Sequence, residues 1–332
     1  MTFNELTLHP TLLAALPAEL HTPTRIQQLA IPVALAGQDL LALAQTGSGK
    51  TLAFGLPLLQ GLNAASDRVQ GLVLVPTREL ATQVNAALQG VAEALGLRTL
   101  TLCGGVPQEQ QQAELALGPQ LLVATPGRLR DLLAQRRLGL SNLRTLVLDE
   151  ADRLLEMGFW PDIQWLLNAM PTERQTLLFS ATLPLELESL AIDLLTNPIR
   201  IEANPLNSLV SEIEERLHLV NKSSKVPALI SLLKAQNWPQ VLVFISARDD
   251  ADGVARKLAK AGIAVAALHG EKDQGVREQA LADFKGGKVR VLVATDLMAR
   301  GIHVEALPVV INLDLPANAP VYVHRIGRTA RA

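Results

Sequence analysis

Two stretches of the chain, 170 residues apart, share one pattern. Leu72-Val-Leu-Val-Pro-Thr-Arg-Glu79 lies over Leu242-Val-Phe-Ile-Ser-Ala-Arg-Asp249, and Leu122-Val-Ala-Thr125 lies over Leu292-Val-Ala-Thr295 at the same offset. In each, an apolar run ends in polar residues that open a helix, with Arg or Thr at the strand's carboxyl end. Near-continuous apolar runs suit strands buried on both faces, the situation created when helices cross between parallel neighbours. Either pair alone is as compatible with chance as with common origin, but the shared offset favours two related α/β domains. Thr145-Leu-Val-Leu-Asp149 and Val309-Val-Ile-Asn312 add further strands, so an α/β class with parallel sheets is expected.

A length of 332 residues is about twice a typical domain and agrees with the duplication. The strand–helix alternation breaks from Asn197-Pro198 to Lys225, where Pro, Asn, Ser and Glu intervene. This divides the chain into a first domain over 1–203, a linker and second-domain start over 204–224, and a second domain over 225–332. With 30 Lys+Arg against 32 Asp+Glu, the net charge of −2 excludes binding nucleic acid through overall positive charge, though not through a local basic groove. Aromatics at 3% argue against a base-stacking platform. The single cysteine, Cys103, excludes a disulfide framework, and no Cys/His spacing suits zinc. No run reaches 18 apolar residues and no basic-then-apolar leader is present, so a soluble, cytoplasmic protein with no membrane partner is expected.

Between the strand Asp39-Leu-Leu-Ala-Leu-Ala44 and a helix opening at Thr51 sits Ala44-Gln-Thr-Gly-Ser-Gly-Lys-Thr51, which matches a phosphate-binding loop with Ala at its first position. Gly47 and Gly49 let the backbone turn, so that N–H groups from Gln45, Thr46, Ser48 and their neighbours converge on phosphate oxygens at a helix N-terminus. Lys50 supplies a point charge to the β/γ-phosphates, and the Thr51 hydroxyl is placed for Mg²⁺. A second acidic element is expected at the end of a buried strand, and Asp149-Glu150 follows Thr145-Leu-Val-Leu148 in that way. Asp149 would bind Mg²⁺ and Glu150 would orient the attacking water. Alone, such a pair is equally a helix cap. After a phosphate loop in the same domain it reads as catalytic.

Asp149-Glu150-Ala151-Asp152 resembles the name-giving motif of the DEAD-box ATP-dependent RNA helicases, and further motifs follow in the family's order. Pro23-Thr24-Arg25-Ile26-Gln27 resembles the Q motif, with Phe3 as its upstream aromatic. Pro76-Thr-Arg-Glu-Leu-Ala81, Gly104-Gly105 and Thr125-Pro-Gly-Arg128 resemble the RNA-contacting motifs of the first domain, and Ser180-Ala-Thr182 the motif coupling hydrolysis to strand separation. In the second half, Val243-Phe-Ile-Ser246, Gln274-Gly-Val-Arg277, Ala294-Thr-Asp-Leu-Met-Ala-Arg-Gly301 and His324-Arg-Ile-Gly-Arg-Thr-Ala-Arg331 complete the set. The resemblance spans residues 3 to 331 and is nearest to short, core-only bacterial members of the RhlE type.

The resemblance implies two tandem RecA-like domains, each a parallel sheet flanked by helices, acting as a monomer with ATP and Mg²⁺. Gln27 would read adenine through its two-ended amide, and Leu20, at a position usually aromatic, would cover the ring. Arg328 and Arg331 would be arginine fingers, and Gly301 and His303 would lie at the ATP ribose. Asp152, Ser180, Thr182, Asp296 and His324 would couple nucleotide state to RNA. Thr77, Arg78, Gly105, Thr125 and Arg128 in the first domain, and Arg248, Arg277 and Thr295 in the second, would grip sugars and phosphates without reading bases. Partners in ribosome assembly or RNA decay follow by analogy.

Two departures qualify these expectations. His303 stands where the family usually has Asp, which removes a charge-assisted acceptor and implies weaker ATP binding. The family continues beyond the last motif with at least one more strand, so the second domain is expected to be incomplete at Ala332. An ATP-gated RNA clamp with little unwinding is therefore the alternative. A DNA-directed helicase of the same architecture is disfavoured by the Q motif and the Asp-Glu-Ala-Asp wording.

Overall fold

The computed structural model describes residues 2–17, 20–45, 47–203, 213–246, 248–296, 307–316, 319–327 and 329, and the backbone alone at 248, 249, 319, 320, 323 and 324. The chain divides into two compact units, Met1–Leu206 and Asn207–Ala332.

In the first unit, β1 (Leu40–Leu43), β2 (Gly71–Leu74), β3 (Thr99–Leu102), β4 (Leu121–Ala124), β5 (Thr145–Leu148), β6 (Gln175–Ser180) and β7 (Ile199–Glu202) form one sheet. Their order is β3-β4-β2-β5-β6-β1-β7, and every pairing is parallel. Successive side chains on a strand point to opposite faces, so each apolar run feeds two cores at once. On one face Leu40, Ala42, Val73, Val123 and Phe179 meet Ile26 and Ala30 of α2 (Arg25–Leu35), Phe54 of α3 (Lys50–Gln60) and Val84 and Leu88 of α4 (Arg78–Ala94). On the other, Leu43, Leu72, Leu122, Leu146 and Leu178 meet Leu129 of α6 (Pro126–Ala134), Leu154 of α7 (Ala151–Glu156), Ile163 of α8 (Trp160–Leu167) and Leu187 of α9 (Leu185–Leu194). A short helix α1 (Pro10–Ala14) packs by Leu12 on the first face, and α5 (Gln108–Leu115) follows β3.

The second unit has a four-stranded parallel sheet of β8 (Val241–Ile245), β9 (Val265–Leu268), β10 (Val291–Thr295) and β11 (Val309–Asn312), in the order β11-β8-β10-β9. Its helices are α10 (Lys225–Ala235), α11 (Arg248–Lys260), α12 (Gln274–Lys285) and α13 (Ala319–Ile326). Val241, Val243 and Val293 pack against Leu229, Leu233 and Leu258, while Leu242, Phe244 and Leu292 pack against Phe284.

The duplication is visible in the pairings themselves. Leu72 pairs with Leu122, and 170 residues on, Leu242 pairs with Leu292. The next strand outward is β3 in one unit and β9 in the other, with Leu102 against Ala124 and Leu268 against Ala294. Strands β5 and β11 take the other side of β2 and β8. Four strands, β3-β4-β2-β5, thus recur as β9-β10-β8-β11 with the central register preserved. Among the described residues, no helix is long and apolar enough to cross a membrane.

Candidate active site

All the strands of the first sheet run the same way, so their carboxyl ends share one edge, where ligands bind in open α/β sheets. Most of the first-unit residues singled out from the sequence gather there in two groups. One lies at β1, β6 and β5, the other at β2, β4 and β3.

The loop after β1 turns through two left-handed glycines, Gly47 at φ +82° and Gly49 at φ +91°. Gly49 is required for a second reason: a Cβ there would sit 2.5 Å from Gln27 Nε2. Gln27 Nε2 donates to the Gly49 carbonyl at 3.0 Å, while Gln27 Oε1 accepts the Thr24 N–H at 2.9 Å. Gln27 is therefore buried and braces the phosphate loop, and its two-ended amide is engaged at both ends by the protein. Ser48 Oγ donates to the Gln45 carbonyl at 2.7 Å and closes the loop's first turn. Lys50 opens α3, is buried, and donates from Nζ to the Ala44 carbonyl at 3.1 Å. Thr51 follows it on the first turn of the helix. Thr46 lies outside the described residues. Leu20 is partly buried against the core, whereas Phe3 is inside it with Leu6 and Leu8. Phe3 thus anchors the N-terminal segment and presents no open ring, because its apolar surface is already covered.

At the end of β5, Asp149 is buried and its Oδ1 accepts the Glu150 N–H at 2.9 Å. Burial pushes its carboxyl up to about 6 against the pull of Lys50, and Glu150 and Asp152 add to the rise. Glu150 adopts a left-handed backbone, φ +50° and ψ +51°, a conformation costly for a side chain with a Cβ and characteristic of functional turns. Asp152 Oδ2 accepts from both the Thr182 N–H (3.1 Å) and hydroxyl (2.8 Å). Ser180 Oγ accepts the Asp152 N–H at 3.2 Å and donates to the Thr182 carbonyl at 2.7 Å. The three expected coupling residues of this unit form one buried, hydrogen-bonded knot between β5 and β6.

The second group is as compact. Thr77 caps α4, its hydroxyl accepting the Leu80 N–H at 3.3 Å, and Arg78 is the helix's first residue. Arg78 lies across Gly105, where a Cβ would fall 1.6 Å from its Nη1, and Gly105 is left-handed at φ +80°. Thr125 precedes α6, and Arg128 Nη1 donates to the Val106 carbonyl at 3.1 Å and to Gln111 Oε1 at 2.8 Å. Two guanidinium groups thus flank a Gly-Gly turn beside the helix N-terminus at Thr77.

In the second unit, Thr295 ends β10 and Arg277 lies on the first turns of α12, hydrogen-bonded to Gln274. Arg248 begins α11, with its side chain outside the described residues, as is that of His324 on α13. Gly301, His303, Arg328 and Arg331 also lie outside them. Asp296, expected to be a coupling residue, is engaged in holding a helix: both oxygens accept from Arg325, Nε at 2.5 Å and Nη2 at 2.7 Å. Arg325 is the largest fully buried side chain among the described residues. Its Nη1 reaches Asn312 Oδ1 (3.0 Å) and the Asp314 carbonyl (2.5 Å), and its guanidinium lies 5.0 Å from the Phe244 ring centroid. It therefore ties α13 to the ends of β8, β10 and β11.

Sequence reasoning missed Arg325, Arg153 and Gln111. Arg153 is buried and pairs with Glu150 at 3.3 Å, and the i,i+3 spacing was the available signal. Arg325 stands inside a recognised motif, where the arginines around it carry the expected role. Nothing local marks Gln111.

Residues 24–190 match the family model described as DEAD/DEAH box helicase, and 224–332 match the helicase conserved C-terminal domain. The chain is 41% identical over 333 residues to ATP-dependent rRNA helicase RRP3 of Debaryomyces hansenii, covering 100% of this chain and 70% of that one. It is 43% identical over 312 residues to ATP-dependent RNA helicase DbpA of Escherichia coli, covering 94% and 68%. Among solved structures, S. cerevisiae Dbp5 bound to RNA and ADP BeF3 superposes with a TM-score of 0.91 at 30% identity, over 99% of this chain and 86% of that one. A DEAD box protein from the hyperthermophile Methanococcus jannaschii gives 0.61 at 38% identity, over 100% and 90%.

Proposed function

The chain belongs to the DEAD-box family of ATP-dependent RNA helicases, and on that premise we propose how its described residues divide the work. ATP and RNA binding and RNA-dependent ATP hydrolysis come with the family. The assignment of individual residues is our own.

The phosphate loop receives ATP. Its glycines open the backbone toward the phosphates, and Lys50 exchanges its Ala44 carbonyl for phosphate oxygens. Gln27 joins this loop to the adenine side, since one amide already holds the Gly49 carbonyl and retains a second N–H and a second lone pair for a base. Asp149 fits a divalent cation: it is a buried carboxylate crowded by Glu150 and Asp152, with Lys50 as the opposing charge. Mg²⁺, held there by Asp149 and the Thr51 hydroxyl, would neutralise phosphate charge. Glu150, aimed by Arg153, accepts a proton from the attacking water. Asp152, Ser180 and Thr182 link the segment after β5 to the segment after β6, so that movement at Glu150 reaches Thr182.

RNA lies along the other half of the same edge, at Thr77, Arg78, Gly105, Thr125 and Arg128. A hydroxyl, a helix N-terminus and two arginines are groups for phosphate and ribose, not for base edges. Local separation of short duplexes of any sequence is the mode that fits this contact set, because a grip on phosphate and ribose does not depend on the bases. Similarity to a protein named an rRNA helicase favours structured ribosomal RNA as the substrate class. The observation carrying the proposal is the convergence of both groups on one sheet edge, joined at the adjacent strands β2 and β5.

Steady-state ATPase measured without nucleic acid, with single-stranded RNA and with DNA tests it. RNA-specific stimulation that disappears in Lys50→Ala and Glu150→Gln is expected. Nucleotide-dependent RNA binding with negligible turnover would establish a clamp instead, and equal stimulation by DNA would refute RNA specificity.

A further inference from the structure

Helix α5, Gln-Glu-Gln-Gln-Gln-Ala-Glu-Leu, is polar but for Ala113 and the partly buried Leu115, and its one fully buried residue is a glutamine. Gln111 is 2% exposed, where an amphipathic helix ordinarily buries an aliphatic side chain. Burying an amide is unfavourable unless its donors and acceptor are matched. Here they are matched by a specific pair of groups. Gln111 Nε2 donates to the Cys103 carbonyl at 2.9 Å, and Gln111 Oε1 accepts from Arg128 Nη1 at 2.8 Å. Arg128 Nη1 also reaches the Val106 carbonyl at 3.1 Å. Cys103 and Val106 bracket Gly104-Gly105, so the glutamine and the arginine close a ring around that turn. Arg78 closes it from the other side by lying on Gly105.

We propose that Gln111 is a positioning residue for RNA binding: it aims Arg128 and sets the Cys103–Val106 turn, without touching RNA itself. The inference rests on the helicase reading and extends it to a residue outside the recognised motifs. With Nη1 committed to Gln111 and Val106, Arg128 keeps Nε and Nη2 for a phosphate, directed by a fixed fork. An apolar residue at 111 would leave the arginine on a flexible stem and take away the amide that holds the Cys103 carbonyl. A glutamate would keep the acceptor but cancel the charge that a phosphate needs.

The test is RNA-stimulated ATPase, with RNA titrated at several salt concentrations, on wild type, Gln111→Met, Gln111→Glu, Arg128→Ala and the Gln111→Met/Arg128→Ala double variant. Gln111→Met is expected to raise the RNA concentration for half-stimulation about tenfold, with the rate at saturating RNA within twofold of wild type. The slope of log affinity against log salt should become shallower by about 0.7, the loss of one single-strand phosphate contact. The double variant should be no worse than Arg128→Ala alone. Gln111→Glu, which keeps an acceptor for Arg128 but loses the donor to the Cys103 carbonyl, should show the same shallower slope, and a cooperative thermal melt of each variant separates loss of aim from misfolding. An unchanged slope in both glutamine variants, or penalties that add in the double variant, would overturn the proposal while the helicase reading stood. A wild type that RNA does not stimulate would overturn both.

Discussion

Glu150 depends on Arg153 more directly than the linear motif suggests. The pair is buried, with side-chain exposures of 9% and 2%, and the arginine sits one helical turn after a residue held in a left-handed conformation. Removing the cation leaves a buried carboxylate beside Asp149 with less to hold its charge and its aim. Hydrogen bonds to charged groups contribute about 1.5–3 kcal/mol, so Arg153→Met should lower the ATPase rate at saturating RNA and ATP at least tenfold while leaving half-stimulation by RNA near wild type. A parallel loss of RNA affinity would assign Arg153 to the RNA group instead. Gly105 makes a sharper prediction because its neighbour serves as control. Alanine at 105 meets both an unfavourable φ and the Arg78 guanidinium, whereas a Cβ at Gly104 would meet nothing within 4 Å. Gly105→Ala should destabilise the first unit by about 1–2 kcal/mol and weaken RNA binding, and Gly104→Ala should do neither, as thermal melts and RNA titrations would show.

The ends of the strands, rather than their middles, hold α13 in the second unit. Lys225 Nζ lies 2.6 Å from Asp314 Oδ1, the Ser246 N–H donates to Oδ2 at 3.1 Å, and the Asp314 carbonyl accepts from Arg325. Burial works against the Asp314 carboxylate, but Lys225, the Ser246 N–H and Arg325 hold its pKa below the usual range. A depressed folded-state value means stabilisation that is complete above the unfolded pKa near 4 and lost as pH falls through the folded value. Asp314→Asn should therefore cost about 1–2 kcal/mol at pH 7, between the exposed and buried limits for an ion pair, and the cost should shrink below pH 4. A cost independent of pH would show that the carboxylate's charge is not what matters. At this scale the sequence was informative for a physical reason. Strands such as Leu121–Ala124 and Val241–Ile245 are buried on both faces, so burial leaves its record in consecutive residues. Gln111 and Arg325 left no such record, because their partners lie 8 to 29 residues away in the chain and only folding brings them together. The site residues were legible where a motif keeps its parts adjacent, as at Asp149–Asp152, and illegible where a brace reaches in from another helix.

Net charge acquires a quantitative meaning for the molecule as a whole. The 30 basic residues do not form a reservoir for RNA, since several are spent internally: Arg153 on Glu150, Arg325 on Asp296, Arg200 on Glu188 and Glu202, and Lys225 on Asp314. The arginines expected at phosphates are Arg78 and Arg128 in the first unit and Arg248 and Arg277 in the second. Each single-strand phosphate neutralised contributes about 0.7 to the salt slope, so four predict a slope of log affinity against log salt near −3. RNA binding measured by fluorescence anisotropy with a non-hydrolysable ATP analogue, over roughly 50–300 mM salt, reads this number directly. Arg78→Ala and Arg277→Ala should each make the slope shallower by about 0.7, and substitutions at the internally paired Arg200 should leave it unchanged. A wild-type slope beyond about −6 would mean that RNA follows a broad basic surface, and the reading of a few placed contacts on a near-neutral protein would then fail.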